Sequence, residues 1–320
     1  MSSLLDALKF IQPALATKDT QLGLRYVRLE PGWVSAANGT IAAKAPAECE
    51  VDCLVDGAKL VAALERMDGS PAISIADGVL KIRKGRLSAS LNTLPVGAIG
   101  IDSPEGAWDQ APSGLVPALR QLRPFLADAH PQAWATAICL IGNVATATTG
   151  TVIAEATIAG MALGEEALLP GATADFLLGE APPAEYMQGE GYLAFRWPDG
   201  RWLRSQLLSI AYPNVAGVLS ASWQVDGDRV EDTLRSALDD VAALSPDAVV
   251  LDKAGIHGNT EQGTFSCEVP LPSMGELRAR WNPKTLACVL GLAASWHPAK
   301  YPAPVPFTAP GIRGVAMGRS

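Results

Sequence analysis

Lys81, Arg83, Lys84 and Arg86 fall within six positions of the stretch KIRKGRLSASLNTLP, residues 81 to 95. Cations this close together suit phosphate binding, since neutralising the backbone supplies most nucleic-acid affinity. The stretch reads equally as the charged tip of a solvated hairpin or as a protein–protein edge. The three histidines are dispersed; His130 and His297 lie in the proline-flanked loops ADAHPQ and SWHPAK, where solvated side chains are expected. Asp239-Asp240 lie on a helix and Glu165-Glu166 in a polar connection, each read as a wet face. Cys49 and Cys53 lack the second pair or nearby histidine that would complete the four ligands of a structural zinc. Asn38-Gly39-Thr40 is a turn. The chain contains no G-x-x-x-x-G-K-[ST], no G-x-G-x-x-G opening a helix, no H-E-x-x-H and no G-x-S-x-G. These residues favour a binding or scaffolding role without catalytic residues, metal or cofactor.

The elements that would position such residues follow from composition and pattern. Of 320 residues, 48% are hydrophobic and 18% charged, with a net charge of −8, which suits two or three packed domains. Thirty glycines and 24 prolines are spread along the chain and imply many turns between short strands. No apolar run reaches the roughly 18 to 20 residues of a membrane span. MSSLLDALKFIQ carries Asp6 and lacks a basic start, so it reads as an amphipathic helix and not a signal peptide. Five scattered cysteines make no disulfide framework and fit a reducing cytoplasm, the expected location.

The chain repeats itself. Residues 8–43 lie over 119–154 at a constant offset of 111, with LKFIQPALA over LRQLRPFLA and GWVSAANGTIAA over NVATATTGTVIA. Alternation in both copies predicts half-buried strands after a helix of apolar period. DGAKLVAALERM and ATADFLLGEA read as a second helix in each copy, and GVLKIRKGRLSASL and GYLAFRWPDGRWLRSQL as hairpins turning at Gly85-Arg86 and Gly200-Arg201. A fainter third copy starts at RVEDTLRSALDDVAAL, passes through DAVVLDKAGIHG, GTFSCEVPL and WNPKTLACVLGLAASW, and ends in PVPFTAP and IRGVAMG. The expectation is an α+β chain of three repeated units, each with two helices over antiparallel strands, divided as 1–105, 106–217 and 218–320.

Several stretches carry a family resemblance: ERMDGSPAISIADGVLKIRKGRLSASLNTLP, ATATTGTVIA, SQLLSIAYPNVAGVL, RARWNPKTLACVL and IRGVAMGRS. Together they resemble the bacterial DNA polymerase III β subunit, the sliding clamp, in a diverged or viral form. The resemblance implies a clamp fold that closes as a ring of two subunits, encircles duplex DNA without reading sequence, and tethers a polymerase. A clamp-like monomer that binds the polymerase without encircling DNA is the alternative.

What the resemblance implies for residues is specific. Diffuse phosphate attraction would come from inner helices: Lys9 and Lys18 in the first helix region with Arg25 just after it, Lys59 and Arg66 on the second helix, Arg120 and Arg123 on the third, Arg229 and Arg235 on that of RVEDTLRSALDDVAAL, and Lys284 on the last, while GATADFLLGEA carries no basic residue. Polymerase and clamp loader would insert short peptides into a groove of Thr148, Gly150, Thr151, Val152, Ile153, Pro213, Val218, Val315 and Met317. Here Val152 stands where a basic residue is common, and Gly318-Arg319-Ser320 replaces the usual end. The basic hairpin becomes the closing seam: Lys84, Arg86 and Leu87 belong to the dimer interface with Glu261 and Glu268 of the next subunit, the two candidate partners of Arg86, and Leu87, Ala89 and Leu91 face inward within their own domain.

Overall fold

The computed structural model describes residues 3–16, 24–67, 69–96, 101–221 and 227–318. The first repeat runs α1 (Leu4–Ile11), β1 (Tyr26–Glu30), β2 (Trp33–Ala37), β3 (Ile41–Pro46), β4 (Cys53–Asp56), α2 (Gly57–Leu64), β5 (Ala72–Ala76), β6 (Val79–Lys84) and β7 (Leu87–Leu94). After β8 (Asp109–Gln110) the order recurs as α3 (Leu115–Leu122), β9 (Ala137–Gly142), β10 (Val144–Thr148), β11 (Val152–Thr157), β12 (Leu163–Pro170), α4 (Gly171–Gly179), β13 (Glu185–Gly189), β14 (Tyr192–Arg196) and β15 (Trp202–Gln206). A short α5 (Ala216–Ala221) and β16 (Asp228–Arg229) precede the third pass. That pass is α6 (Asp232–Leu244), β17 (Val249–Asp252), β18 (Gly255–Thr260), β19 (Gly263–Glu268), β20 (Ala279–Trp281), α7 (Pro283–Leu292), β21 (Ser295–Trp296), β22 (Val305–Ala309) and β23 (Ile312–Ala316). Helix, four strands, helix, three strands: the order is the same three times. The offset of 111 reappears in α1 and α3, in β2 and β10, and in β3 and β11.

Local chemistry explains the element limits. Ser3 caps α1, its hydroxyl oxygen accepting the Asp6 amide at 3.2 Å, and Pro13 stands just beyond the helix. Asp56 caps α2 through the Lys59 amide, and Asn282 caps α7 through the Thr285 amide with Pro283 in the first turn. Asp77 and Gly78 both have positive φ (54° and 72°), the type I′ geometry that keeps β5 and β6 in register.

Two compact units result, Met1–Ala111 with Asp175–Ser209, and Pro112–Ala174 with Ile210–Ser320. The first holds an eleven-stranded sheet in the order β5-β6-β7-β4-β1-β2-β3-β15-β14-β13-β8. The second holds an eight-stranded sheet, β12-β9-β10-β11-β23-β22-β21-β16, and a four-stranded sheet, β19-β18-β17-β20. Each repeat's first helix packs on its second and third strands: α1 on β2 and β3, α3 on β10 and β11, α6 on β18 and β19. Leu8, Ile11, Leu29, Leu54 and Leu80 are fully buried in the first unit. In the second, Phe125 stacks on Phe307 at 5.9 Å and Trp281 meets Trp296 at 6.4 Å.

The sheets join one repeat to the next. The third strand of a repeat pairs with the last strand of its successor, β3 with β15 and β11 with β23. Among the described residues β19 pairs only with β18, and residues 87–92 of β7 pair only with β6.

Four local expectations are corrected. Leu87 is 43% exposed instead of turned inward, because it closes the hairpin at the free edge. Glu165 and Glu166 belong to β12, where the register shifts between Leu163 and Ala167 in a bulge. His297 is half-buried, its Nδ1 sealed from solvent without a partner among the described residues. Arg66, Arg123 and Arg229 lie outside helices α2, α3 and α6, at their flanks.

Candidate functional site

One surface of the second unit gathers most of the exposed apolar side chains singled out from the sequence. Its floor is the turn between β10 and β11. The Thr148 hydroxyl donates to the Val152 carbonyl at 2.7 Å and accepts the Gly150 amide at 3.0 Å, while Gly150 takes φ +87°. That conformation favours glycine, as it does at Gly39 (φ +90°) in the equivalent turn. Beyond β23 the chain stays on the ladder, the Met317 amide donating to the Thr151 carbonyl at 2.8 Å.

Two elements wall this floor. Tyr212 lies over the sheet with its hydroxyl donating to the Thr146 carbonyl at 3.2 Å and its ring edge-on to Trp134 at 6.4 Å. Burial, helped by the negative charge of Glu166, pushes its phenol upward, so it stays a neutral donor. Trp134 also approaches the turn, since a Cβ on Gly150 would lie 3.7 Å from its ring. The α5 helix, beside β23, buries Leu219 and leaves Val218 40% exposed; Met317 is 43% exposed. Gly150 and Thr151 are exposed, and Ile153 and Pro213 half-buried. Thr148, Val152 and Val315 are 2%, 2% and 3% exposed, so these three support the surface from within and offer none of it. Trp134 was not singled out from the sequence, because its approach to the turn depends on folding.

Such a surface has no nucleophile beside a base. It can bury apolar side chains and meet backbone groups of a peptide.

The cations divide into two sets. Lys9 on α1, Lys59 on α2, Arg66 just after it, Arg120 on α3 and Lys284 on α7 are exposed. Arg229 is exposed too, with Glu231 3.8 Å away. Arg25 pairs with Asp56, and Arg123 with Asp128 at 3.0 Å. Arg235 donates to the Leu290 and Ala293 carbonyls at 2.8 and 3.0 Å and pairs with Asp232, so it ties α6 to the end of α7. Lys18 lies outside the described residues. Lys84, Arg86, Glu261 and Glu268 are all exposed.

Solved structures match this arrangement over almost the whole chain. The β clamp of Helicobacter pylori, bound to a DNA ligase peptide, superposes with TM-score 0.80 at 14% identity, covering 99% of this chain and 98% of that one. The Pseudomonas aeruginosa sliding clamp bound to griselimycin gives 0.82 at 17% identity, with 99% and 97% covered. The Caulobacter crescentus polymerase III β subunit gives 0.83 at 19% identity, with 99% and 98% covered.

The chain has the sliding-clamp fold.

No family model matches the sequence, and a search of the curated proteins finds no match. The clamp fold is therefore carried here with under a fifth of positions shared with these structures, through pairing and burial more than through particular side chains.

Proposed function

We propose that this protein is a sliding clamp, a processivity factor of DNA replication that encircles duplex DNA and tethers a polymerase in the cytoplasm. The observation that carries this reading is the unfinished pairing pattern. Among the described residues of one chain, third strands find last strands twice, and the third such pair is left as two free edges, β19 and the outer side of β7. A second copy completes both, which divides each subunit into domains 1–105, 106–217 and 218–320 and closes a homodimeric ring.

The register of that seam follows from the pair inside the chain. β11 and β23 set Val152 opposite Ala316, Glu155 opposite Arg313 and Ala156 opposite Ile312. β7 leaves its two-residue turn at Leu87 as β23 does at Ile312, and β19 begins at Gly263 as β11 does at Val152. The same register places Cys267 opposite Leu87, Phe265 opposite Ala89 and Ser266 opposite Ser88, with Glu268 beside Arg86. The exposed Leu87 and half-buried Ala89 and Leu91 then meet the half-buried Cys267, Phe265 and Gly263, and a slip by one residue would face them with polar ones.

The exposed cations Lys9, Lys59, Arg66, Arg120, Arg229 and Lys284 supply a diffuse, sequence-independent attraction for phosphates. Arg25, Arg123 and Arg235 are spent on internal partners. The surface around Gly150, Thr151, Val218 and Met317 takes short peptides of the polymerase and clamp loader; the ligase peptide on the Helicobacter clamp supports that use. The chain itself makes and breaks no bond.

A second reading, a monomeric polymerase-binding regulator, is favoured by one feature: Ser88 and Ser266 replace the ion pair that Glu155 and Arg313 form in the internal junction at 2.5 Å. Sedimentation separates the two, with a dimer expected at micromolar concentration. The loaded protein is expected to stay on circular DNA and to leave when the circle is cut. A stable monomer, or equal retention on both DNAs, would refute the ring.

A further inference from the structure

The three repeats differ at one outer edge. In the second repeat the edge strand β13 is covered by β8, with Glu185 opposite Gln110 and Tyr186 opposite Asp109. In the third, β21 is covered by β16, with Trp296 opposite Asp228 and Ser295 opposite Arg229. Both covering strands lie just ahead of the repeat's first helix. The corresponding edge of the first repeat is β5, and no strand precedes α1 among the described residues. Among the described residues β5 pairs with β6 alone.

This edge has the features of a strand acceptor. The two-residue turn makes Ala76 and Val79 the hydrogen-bonded closing pair, and alternation then turns the backbone groups of Ile73 and Ile75 outward. Neither residue makes a further backbone hydrogen bond among the described residues. Beside the edge lies a cavity of about 180 Å³ walled by Leu4, Leu5, Leu64, Met67, Pro71 and Ile73, with Glu48 also in its lining. That is too small for an ordinary ligand site and suits a single apolar side chain.

Charge indicates the kind of occupant. On the opposite face from Ile73, the small residues Ala72 and Ser74 stand beside Arg83 and Lys81 of β6. Both cations are exposed, and neither forms an ion pair with a described residue. A strand added to β5 would lie about 10 Å from β6, within reach of long basic side chains crossing small neighbours. A second copy of this edge would bring like charges together, which disfavours self-pairing.

We propose that the open edge of β5 is a docking site for an extended, acidic peptide segment of a partner protein, added as a further antiparallel strand. Its backbone joins Ile73 and Ile75, one apolar side chain enters the cavity, and alternate carboxylates face Lys81 and Arg83. This site lies on the far side of the hairpin from the edge of β7, so it is independent of ring closure.

The test uses the full-length chain and a fluorescein-labelled peptide alternating valine with aspartate or glutamate, read by anisotropy. Saturable binding is expected. It should weaken at least tenfold when alternate peptide amides are N-methylated, when lysines replace the acids, and in the Lys81→Glu/Arg83→Glu protein. Ile73→Pro should have the same effect, and the charge-reversed variant, altered only at exposed positions, keeps the test valid if proline disturbs folding. Absence of saturable binding, equal binding of the lysine peptide, or indifference to charge reversal overturns the proposal. So does binding of a duplex oligonucleotide that requires Lys81 and Arg83 while the acidic peptide does not bind, or self-association abolished by Ile73→Pro.

Discussion

Gly314 shows how a residue without a side chain can hold a junction. A Cβ there would lie 2.2 Å from the Phe307 ring and 2.5 Å from the Ile153 carbonyl oxygen. Phe307 is fully buried and stacked on Phe125, and the carbonyl belongs to the adjacent strand, so neither can withdraw cheaply. Gly314→Ala is expected to cost about 1 to 3 kcal/mol, read as a lower urea midpoint, as overpacked cores do. An unchanged midpoint would mean that β22 and β23 shift freely, against the pairing described. At this scale the sequence was partly legible: Gly150 and Gly39 stand out in their turns, whereas nothing near Gly314 in the chain announces a ring folded over it.

Among the elements, α6 and α7 depend on Arg235. Its guanidinium meets the Leu290 and Ala293 carbonyls at the end of α7, where helix carbonyls lack partners of their own and the helix dipole favours a cation. Arg235→Ala should destabilise the chain by about 1 to 3 kcal/mol, and Arg235→Lys should recover only part, since one ammonium cannot reproduce the planar fork. Equal urea midpoints for lysine and arginine would show that charge alone suffices. The helix itself was legible in the sequence from its apolar spacing. That this cation faces a neighbouring helix could not be read from a spacing of more than fifty residues.

For the whole molecule, the prediction concerns the strength of the seam. Installing Ser88→Arg together with Ser266→Glu recreates the Glu155–Arg313 rung at both seams of the ring; at about 0.3 to 1 kcal/mol per seam the dimer should tighten by about 0.6 to 2 kcal/mol, or roughly three- to thirtyfold, more than either change alone. Sedimentation would read this directly. Alkylation of Cys267, half-buried in the free edge, should slow as the dimer forms. Additive single effects, or no protection of Cys267, would place the junction elsewhere.

The repeat order, turn positions and helix faces were determined locally, because a period of two or of 3.6, a glycine at positive φ and a capping residue act within a few positions. The offset of 111 then marked two copies as one design. Tertiary structure decided which side chains each surface offers. It turned Arg25, Arg123 and Arg235 into internal ties, sank Thr148, Val152 and Val315 beneath the surface around Gly150 and Met317, and brought Trp134 to the turn at Gly150. It also set KIRKGR in the middle of the β5-β6-β7 sheet segment, where among the described residues β5 and residues 87–92 of β7 pair with β6 alone, the first a basic open border and the second the proposed seam. Edge and partner depend on strands far apart in sequence, and hydrogen-bonding capacity left over at an edge is visible only after every other strand has found its neighbour.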